Sequence, residues 1–356
     1  MNTRIKHNNP GLGFSWHVLL FAAVCIAFGV SLMLGSASIP PMDVLHALTE
    51  YNGNSVSQTW HSIIWEIRFP RAATAIFAGS ALSLSGLQMQ TLFRNPLAGP
   101  SVLGITAGAS LGVAVVILGI GGGLSFISAN VSVVSSWLIV TAASLGSFFI
   151  LLLILLVALK LRDNVTLLIV GLMVGNMTIA LVSIWQYYSN PQQIQDYLIW
   201  VFGSLGGVYG EQLWILAAIT LAGGLLSLLL AKPMNGFLMG EHYAQSMGID
   251  VHKIRMGLIF ITSILAGSVT AFCGPIGFIG IAVPHLVRSL FGTNNHLFLV
   301  PGTLLMGALL MLICDIVAKL PGSPQSLPIS SVTALIGSPV VIWVIIKQKN
   351  LKGAFA

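Results

Sequence analysis

Lipid offers a backbone amide no partner outside its own helix, so a run of about 18 or more apolar residues has one stable solution, a spanning helix. Ten such runs are predicted along the sequence, with cores at 16–34, 72–91, 102–119, 135–159, 166–187, 213–230, 256–273, 277–290, 297–318 and 329–346. The third, eighth and tenth are the least regular, being short or bounded by Gly and Pro. Only 7% of the residues are charged and 56% are hydrophobic, against roughly 25% charged in a soluble domain. The expected fold is therefore all-α, a polytopic membrane protein of ten transmembrane helices forming one domain over 1–356. Spans one to six occupy about 14–231, a polar segment 232–255, and spans seven to ten about 256–347. The first run is longer than a usual signal-peptide core, and Ser36-Ala37-Ser38 is a poor cleavage site, so it reads as a retained span.

An even number of spans puts both termini on one side, and the basic residues choose that side. With the N-terminus in the cytoplasm, Arg4, Lys6, Arg94, Lys160, Arg162, Lys232, Lys253, Arg255, Arg288, Lys347, Lys349 and Lys352 all fall inside. Arg68, Arg71 and Lys319 alone fall outside. The formal charge of +6 is thus a topology signal and not a nucleic-acid patch, because the basic residues are scattered at the ends of apolar runs. Cys25, Cys273 and Cys314 stand singly, without metal-ligand spacing, and read as packing residues.

A faint repeat divides the chain at the polar segment. Ala78-Gly79-Ser80 with Gly86 recurs at the same spacing as Ala266-Gly267-Ser268 with Gly274, in spans two and seven, which run in opposite directions. That is the pattern of an inverted repeat, although small residues at this spacing also serve ordinary helix packing.

No span carries an Asp, Glu, Lys or Arg near its middle, whereas ion-driven transporters generally need such groups or broken-helix ion sites. The phosphate loop GxxxxGK[ST], HExxH and GxSxG are absent too, and the eight His residues lie in loops or near span ends. An enzyme is not expected, nor a cofactor or metal of its own, and the energy for any transport is expected from another chain.

Three stretches stand out. Lys232 to Arg255 is the long polar interval between two apolar halves. Asn235 precedes an apolar turn as a helix cap would, and Glu241 to Met247 reads as a short helix ending at Gly248. A solvated loop and a partner-binding element both fit it. Phe93-Arg94-Asn95-Pro96-Leu97-Ala98-Gly99-Pro100 breaks span two twice with Pro, as a plain connection or as a gate built on Asn95 and Leu97. A comparable turn lies at Arg162-Asp163-Asn164-Val165-Thr166. Arg68 and Arg71 defy the positive-inside trend; they reach lipid headgroups, pair with Glu66, or offer a cationic pad to an acidic partner. Met89, Met173 and Met177 read as packing residues rather than pathway lining.

Taken together, RFPRAATAIFAGSALSLSGLQMQTLFRNPLAGPSVLGITAGASLG, GPIGFIGIAVPHLVRSLFG, DIVAKL and LPISSVTALIGSPVVIWVIIK resemble the FecCD/BtuC-type permeases of bacterial ABC importers for iron-siderophores, haem and vitamin B12. The resemblance runs from about Ile67 to Lys347. It implies an inverted-repeat, type II importer fold in the inner membrane, a homodimer around a central pathway, two copies of an ATPase subunit, and a periplasmic or lipid-anchored substrate-binding protein. Arg68, Arg71 and Lys319 match the outer docking residues, Lys319 standing where relatives often have Arg. Asn95 and Leu97 match the cytoplasmic gate, and Asn164 with Val165 a second gate, more loosely. Gly240, Glu241, Ala244, Met247 and Gly248 match the ATPase-coupling helix. The expected cargo is a ferric siderophore, with haem or cobalamin as alternatives; a passive channel or a membrane scaffold is the reading outside this class.

Overall fold

A computed structural model describes residues 10–35, 39–49, 55–119, 132–161, 163–319 and 326–348. Arg4, Lys6, Glu50, Arg162, Lys349, Lys352 and the Ser36–Ser38 segment lie outside them, so the expectations attached to these positions have no structural counterpart here.

Every regular element among the described residues is helical. The spans are α1 (Pro10–Met33), α4 (Phe69–Leu92), α5 (Ile105–Ala114, continued by a π-helical turn to Gly119), α6 (Ser132–Lys160), α7 (Asn164–Tyr188), α9 (Glu211–Leu229), α12 (Val251–Cys273), α13 (Ile279–Phe291), α14 (His296–Ala318) and α15 (Ile329–Gln348). Between them lie α2 (Pro41–Thr49), α3 (Ser55–Ser62), α8 (Pro191–Phe202), α10 (Ala231–Leu238) and α11 (Glu241–Ser246). Seven spans are long and apolar enough to cross a bilayer, and Ile105–Gly119, Ile279–Phe291 and Ile329–Trp343 are shorter apolar helices. These three are the third, eighth and tenth runs of the sequence. The 13 residues of α13 rise only about 20 Å, less than the roughly 30 Å of a hydrocarbon core. Non-helical backbone at such depth is tolerated where protein covers it, and Ile276 just before α13 is buried.

Local chemistry sets the ends. Asp163 caps α7 by accepting from the Thr166 amide at 2.8 Å, and Asp250 caps α12 through the Lys253 amide at 3.1 Å. Pro191 opens α8 behind Asn190, whose backbone amide donates to Gln193 in a capping box. The sequence reading did not foresee α2, α3 or α8.

Backbone contact holds the centre together. A Cβ on Gly79 would lie 2.2 Å from the Gly307 carbonyl oxygen of α14, and one on Gly86 1.7 Å from that of Gly280 in α13. Only glycine permits such crossings. Buried Gln88 of α4 donates to Ser227 of α9 and accepts from Thr262 of α12, both at 2.7 Å, which joins three spans by polar contacts away from water.

The contacts also carry the repeat. α4 packs on α14 as α12 packs on α6; α5 lies on α6 and α7 as α13 lies on α14 and α15. Spans two to five thus correspond to spans seven to ten. Gly79 faces Gly307 where its sequence match, Gly267, faces Ser147 on α6. The second pair diverges: Gly86 is a helix crossing, whereas Gly274 has φ +76° and ends α12.

Met89 is fully buried, as expected of a packing residue. Met173 and Met177 are not packed within this chain, being 56% and 59% exposed on α7.

Candidate functional site

The bundle has two chemically different ends. Lys232, Lys253, Arg94, Arg255 and Arg288 mark the basic end, where α4, α6, α9 and α13 finish and α7, α12 and α14 begin. Here α9 turns at Leu230 directly into α10, and Gly240, with φ +108°, redirects the chain into α11. α11 closes in a Schellman motif, the Ile249 amide donating to Ala244 at 3.0 Å and the Gly248 amide to Gln245 at 2.9 Å. Gly248 has φ +79°, the left-handed value expected of it.

Ala244 is fully buried on the inner side of α11. A Cβ on Gly236 of α10 would lie 2.5 Å from Ile249 Cδ1, so the two short helices interlock. Tyr243 and Met247 are about half exposed and, with His242 and Gln245, form the outward face of α11. Asn235 is a correction. It sits inside α10, not before a helix, and the start signal is Pro233 in the first turn. Its Oδ1 instead accepts from the His296 amide at 2.9 Å and pairs with His296 Nδ1 at 2.7 Å, capping α14. His296 Nε2 in turn meets Thr91 Oγ1 at 2.8 Å, so α10 is tied to the end of α4.

Glu241 opens α11 and carries the centre of this end. Its two carboxylate oxygens accept from Arg255 Nη2 at 3.1 and 3.2 Å, and Oε1 also accepts from the Asn164 amide. Asn164 Nδ2 donates to the Leu92 carbonyl at 2.9 Å, and Arg255 Nη1 to the Leu161 carbonyl at 3.1 Å. One carboxylate thus joins the ends of α4 and α6 to the starts of α7, α11 and α12. Arg255 is almost fully buried, which makes this charge-assisted contact expensive to break.

The Pro-broken turn after α4 is ordered by its own side chains. Asn95 Oδ1 accepts from the Leu97 amide at 2.9 Å, and the Pro96 carbonyl meets His285 Nε2 of α13 at 2.7 Å. Arg94 takes the left-handed φ of +47°, uncommon outside glycine. Leu97 and Val165 are left 47% and 61% exposed.

At the opposite end the charges are enclosed. Asp315, with no exposed side-chain surface, ion-pairs with Arg71 Nε at 2.7 Å and with Lys319 Nζ at 2.9 Å. Lys319 also donates to Ser31 Oγ at 2.7 Å and to the Ser31 carbonyl at 3.1 Å. Arg68 is buried and donates to the Leu32 and Met33 carbonyls at 2.7 and 2.8 Å, capping the C-terminus of α1, where no basic residue of α1 itself is available. Of the three cations expected on this surface, Arg71 alone keeps partial exposure.

The FecCD transport family model matches residues 22–347. The chain belongs to the FecCD transport family. It is 34% identical over 323 residues to the hemin transport system permease protein HmuU of Yersinia pestis, covering 90% of this chain and 93% of that protein. It is also 34% identical over 339 residues to the vitamin B12 import system permease protein BtuC of Salmonella typhi, covering 94% and 95%. A solved structure of a metal-chelate type ABC transporter in an inward-facing conformation superposes with a TM-score of 0.78 at 28% identity, over 94% of this chain and 99% of that one. This FecCD chain is therefore an ABC importer permease with the ten-helix, all-α fold.

Among the residues singled out from sequence, Glu241 and Asn164 come into direct contact, although one was assigned to coupling and the other to a gate. Glu241 and Leu92 share Asn164 as their link to the first gate turn. Val165 and Leu97 are exposed without such links. The contacts of Arg255 with Glu241 and of Asn235 with His296 were missed; nothing in the sequence marks pairs 14 or 61 residues apart. The i,i+4 spacing of Asp315 and Lys319 was a usable signal for that pair.

Proposed function

We propose that this FecCD permease is the membrane subunit of an ATP-driven importer of an iron chelate, a ferric siderophore, and that it works as a homodimer with two ATPase subunits and a periplasmic or lipid-anchored binding protein. The basic end faces the cytoplasm of a bacterial inner membrane, with both termini there; the positive-inside distribution supports this orientation. Arg71 is the accessible docking cation for acidic groups of the binding protein, while Arg68 and Lys319 keep its surroundings positive from below. Asn95, Leu97, Asn164 and Val165 form the cytoplasmic gate. Gly240, Glu241, Ala244, Met247 and Gly248 build the coupling helix, with Ala244 seating it and Met247 on its outward face.

The observation that carries this reading is the Glu241 carboxylate, shared between Arg255 of α12 and Asn164 of the second gate turn. A displacement of α11 by a nucleotide-driven partner would reach the gate turns without an intervening flexible segment. The chain supplies two alternative packings and no covalent chemistry.

For the cargo, the equal 34% identity to a haem and to a vitamin B12 permease does not separate the alternatives. The siderophore is preferred as the broadest cargo of the class. Among the described residues no group of three His, Cys, Asp or Glu is placed to hold a metal, which suits iron already caged by its chelator. Haem remains the second reading because of the HmuU similarity. Uptake of labelled ferric siderophore, haem and cobalamin by cells lacking this gene separates them. Loss of siderophore uptake alone is expected; loss of haem or cobalamin uptake alone overturns the cargo. Conductance by the chain reconstituted without partners would overturn the importer itself.

A further inference from the structure

The carboxylates at the basic end are few, and each is already engaged. Of the nine acidic residues in the sequence, Asp163, Glu241 and Asp250 are the ones at this end. Asp163 caps α7 through Thr166, Glu241 holds Arg255 and Asn164, and Asp250 pairs with Lys253 at 3.0 Å. Among the described residues, two guanidinium groups at this end are left over. Arg94, exposed on the first gate turn, and Arg288, in the last turn of α13, line one cavity of about 20 Å³ together with Gln90, Thr91, Pro96, Leu238 and Asn294. Neither has a carboxylate within salt-bridge distance among the described residues.

Gln90 orients Arg288 without neutralising it. Its amide nitrogen donates to the Ile281 carbonyl at 3.1 Å, so its oxygen is the end that accepts from Arg288 Nη1, at 2.5 Å. The remaining guanidinium edge is left for another acceptor. Pro96 and Leu238 add apolar surface to the cavity lining. Leu238 belongs to α10, and a Cβ on Gly240 would lie 3.8 Å from Arg94 Nη1, so the cavity adjoins the segment assigned above to the ATPase.

We propose that Arg94 and Arg288 form a seat for an Asp or Glu side chain of the ATPase subunit, beside the coupling helix. This rests on the importer reading. Its size is the second argument: about 20 Å³ admits one or two water-sized positions, which fits a planar carboxylate better than a tetrahedral phosphate with its ester substituents. Two guanidinium forks with no carboxylate within salt-bridge distance among the described residues suit a bidentate anionic acceptor. A carboxylate bound there would bridge the gate turn and α13 from below, in addition to the contact on α11.

The test uses the full chain in nanodiscs and the ATPase subunit encoded with it. Arg94→Asn is the informative variant, because Asn tolerates the left-handed backbone at this position while removing the guanidinium. The expected result is a loss of ATPase affinity of about tenfold, steeper at low salt, with a smaller loss in Arg94→Lys, which keeps the charge without the fork. Phenylglyoxal should modify the exposed Arg94 in the free permease, and ATPase binding should protect it, equally in phosphatidylcholine and phosphatidylglycerol discs. Protection before the ATPase is added, in phosphatidylcholine, would assign the seat to the chain's own terminus. Protection dependent on phosphatidylglycerol would assign it to a lipid phosphate. Either result overturns the proposal, as does equal affinity of wild type and Arg94→Asn. If wild type binds no ATPase at all, the importer reading fails and the seat fails with it.

Discussion

The two ends of the bundle carry similar charged residues and use them in opposite ways. At the Asp315 end, one fully enclosed carboxylate is clamped between Arg71 and Lys319, and Arg68 and Lys319 are directed at backbone oxygens of α1. Those charges staple α1, α4 and α14 together. At the Glu241 end, the central carboxylate keeps 28% of its side-chain surface, it sits on a six-residue helix, and it reaches the ends of five helices. The contrast teaches that charge at a membrane protein's surface need not be surface charge. One end is closed on itself, and the other is open to completion by a partner.

The largest expected effect tests the closed end. Asp315→Asn keeps the shape and removes the anion, leaving Lys319 buried and Arg71 partly buried with no counter-charge. Breaking a buried pair from one side costs about 3–5 kcal/mol, and chemical denaturation of the purified protein in detergent should register most of it. A loss below about 1 kcal/mol, the range of a surface pair, would mean that this end is not stapled by its charges.

Glu241→Gln is expected to cost less and to be read elsewhere. The amide can still accept from Asn164 but no longer carries charge opposite Arg255, a contact worth about 1.5–3 kcal/mol. Because the proposed role is coupling, the sensitive quantities are substrate moved per ATP and the spin-label distance between Leu97 and Val165. Transport per ATP should fall about tenfold, in line with 1.4 kcal/mol, and the distance distribution should broaden. If global stability drops while both readouts hold, the carboxylate is only a structural tie.

Arg71 and Arg68 sharpen the comparison within the closed end. Arg71→Gln should slow association of the proposed binding protein several-fold at low salt, with little change at high salt, because partly exposed charges act mainly on encounter rates. Arg68→Gln should instead loosen the end of α1 and change the association rate less than Arg71→Gln does. The reverse pattern would move the docking surface to Arg68, against its burial.

How far this was legible in the sequence follows from the range of the forces. The ten spans were readable because lipid acts on every residue of a run, and even the irregular third, eighth and tenth were marked by their Gly and Pro. Gly248 was readable because the Schellman turn is local. Asn235 misled for the same reason in reverse: its side chain has the chemistry of a cap, but His296, 61 residues away, supplies the amide it accepts from. Arg68 and Lys319 lie together at the end opposite the basic one, as their place in the chain implies, yet their burial depends on Ser31 and Leu32 of another helix. The Glu241 centre joins residues separated by 14 and 77 positions, and no local pattern encodes that.

The smallest expected effect is confined to the open end and has a definite sign. Hydrogen bonds to Thr166 hold the Asp163 carboxyl below the ordinary aspartate range, and those to Lys253 do the same for Asp250. A carboxyl depressed in the folded state contributes stability above its unfolded pKa and loses it as pH falls through the folded value. Acidification should therefore lower the amide protection factors at Thr166 and Lys253, taken against the intrinsic exchange rate at each pH, while sparing the first turn of α5, which has Gly104 at its N-cap and no acidic residue. Asp163→Asn and Asp250→Asn retain an acceptor, so each should flatten its own acid response and change little at neutral pH. If the start of α5 loosens in parallel with the two capped helices, acid is acting on the bundle as a whole, and the open end has no independent local stability.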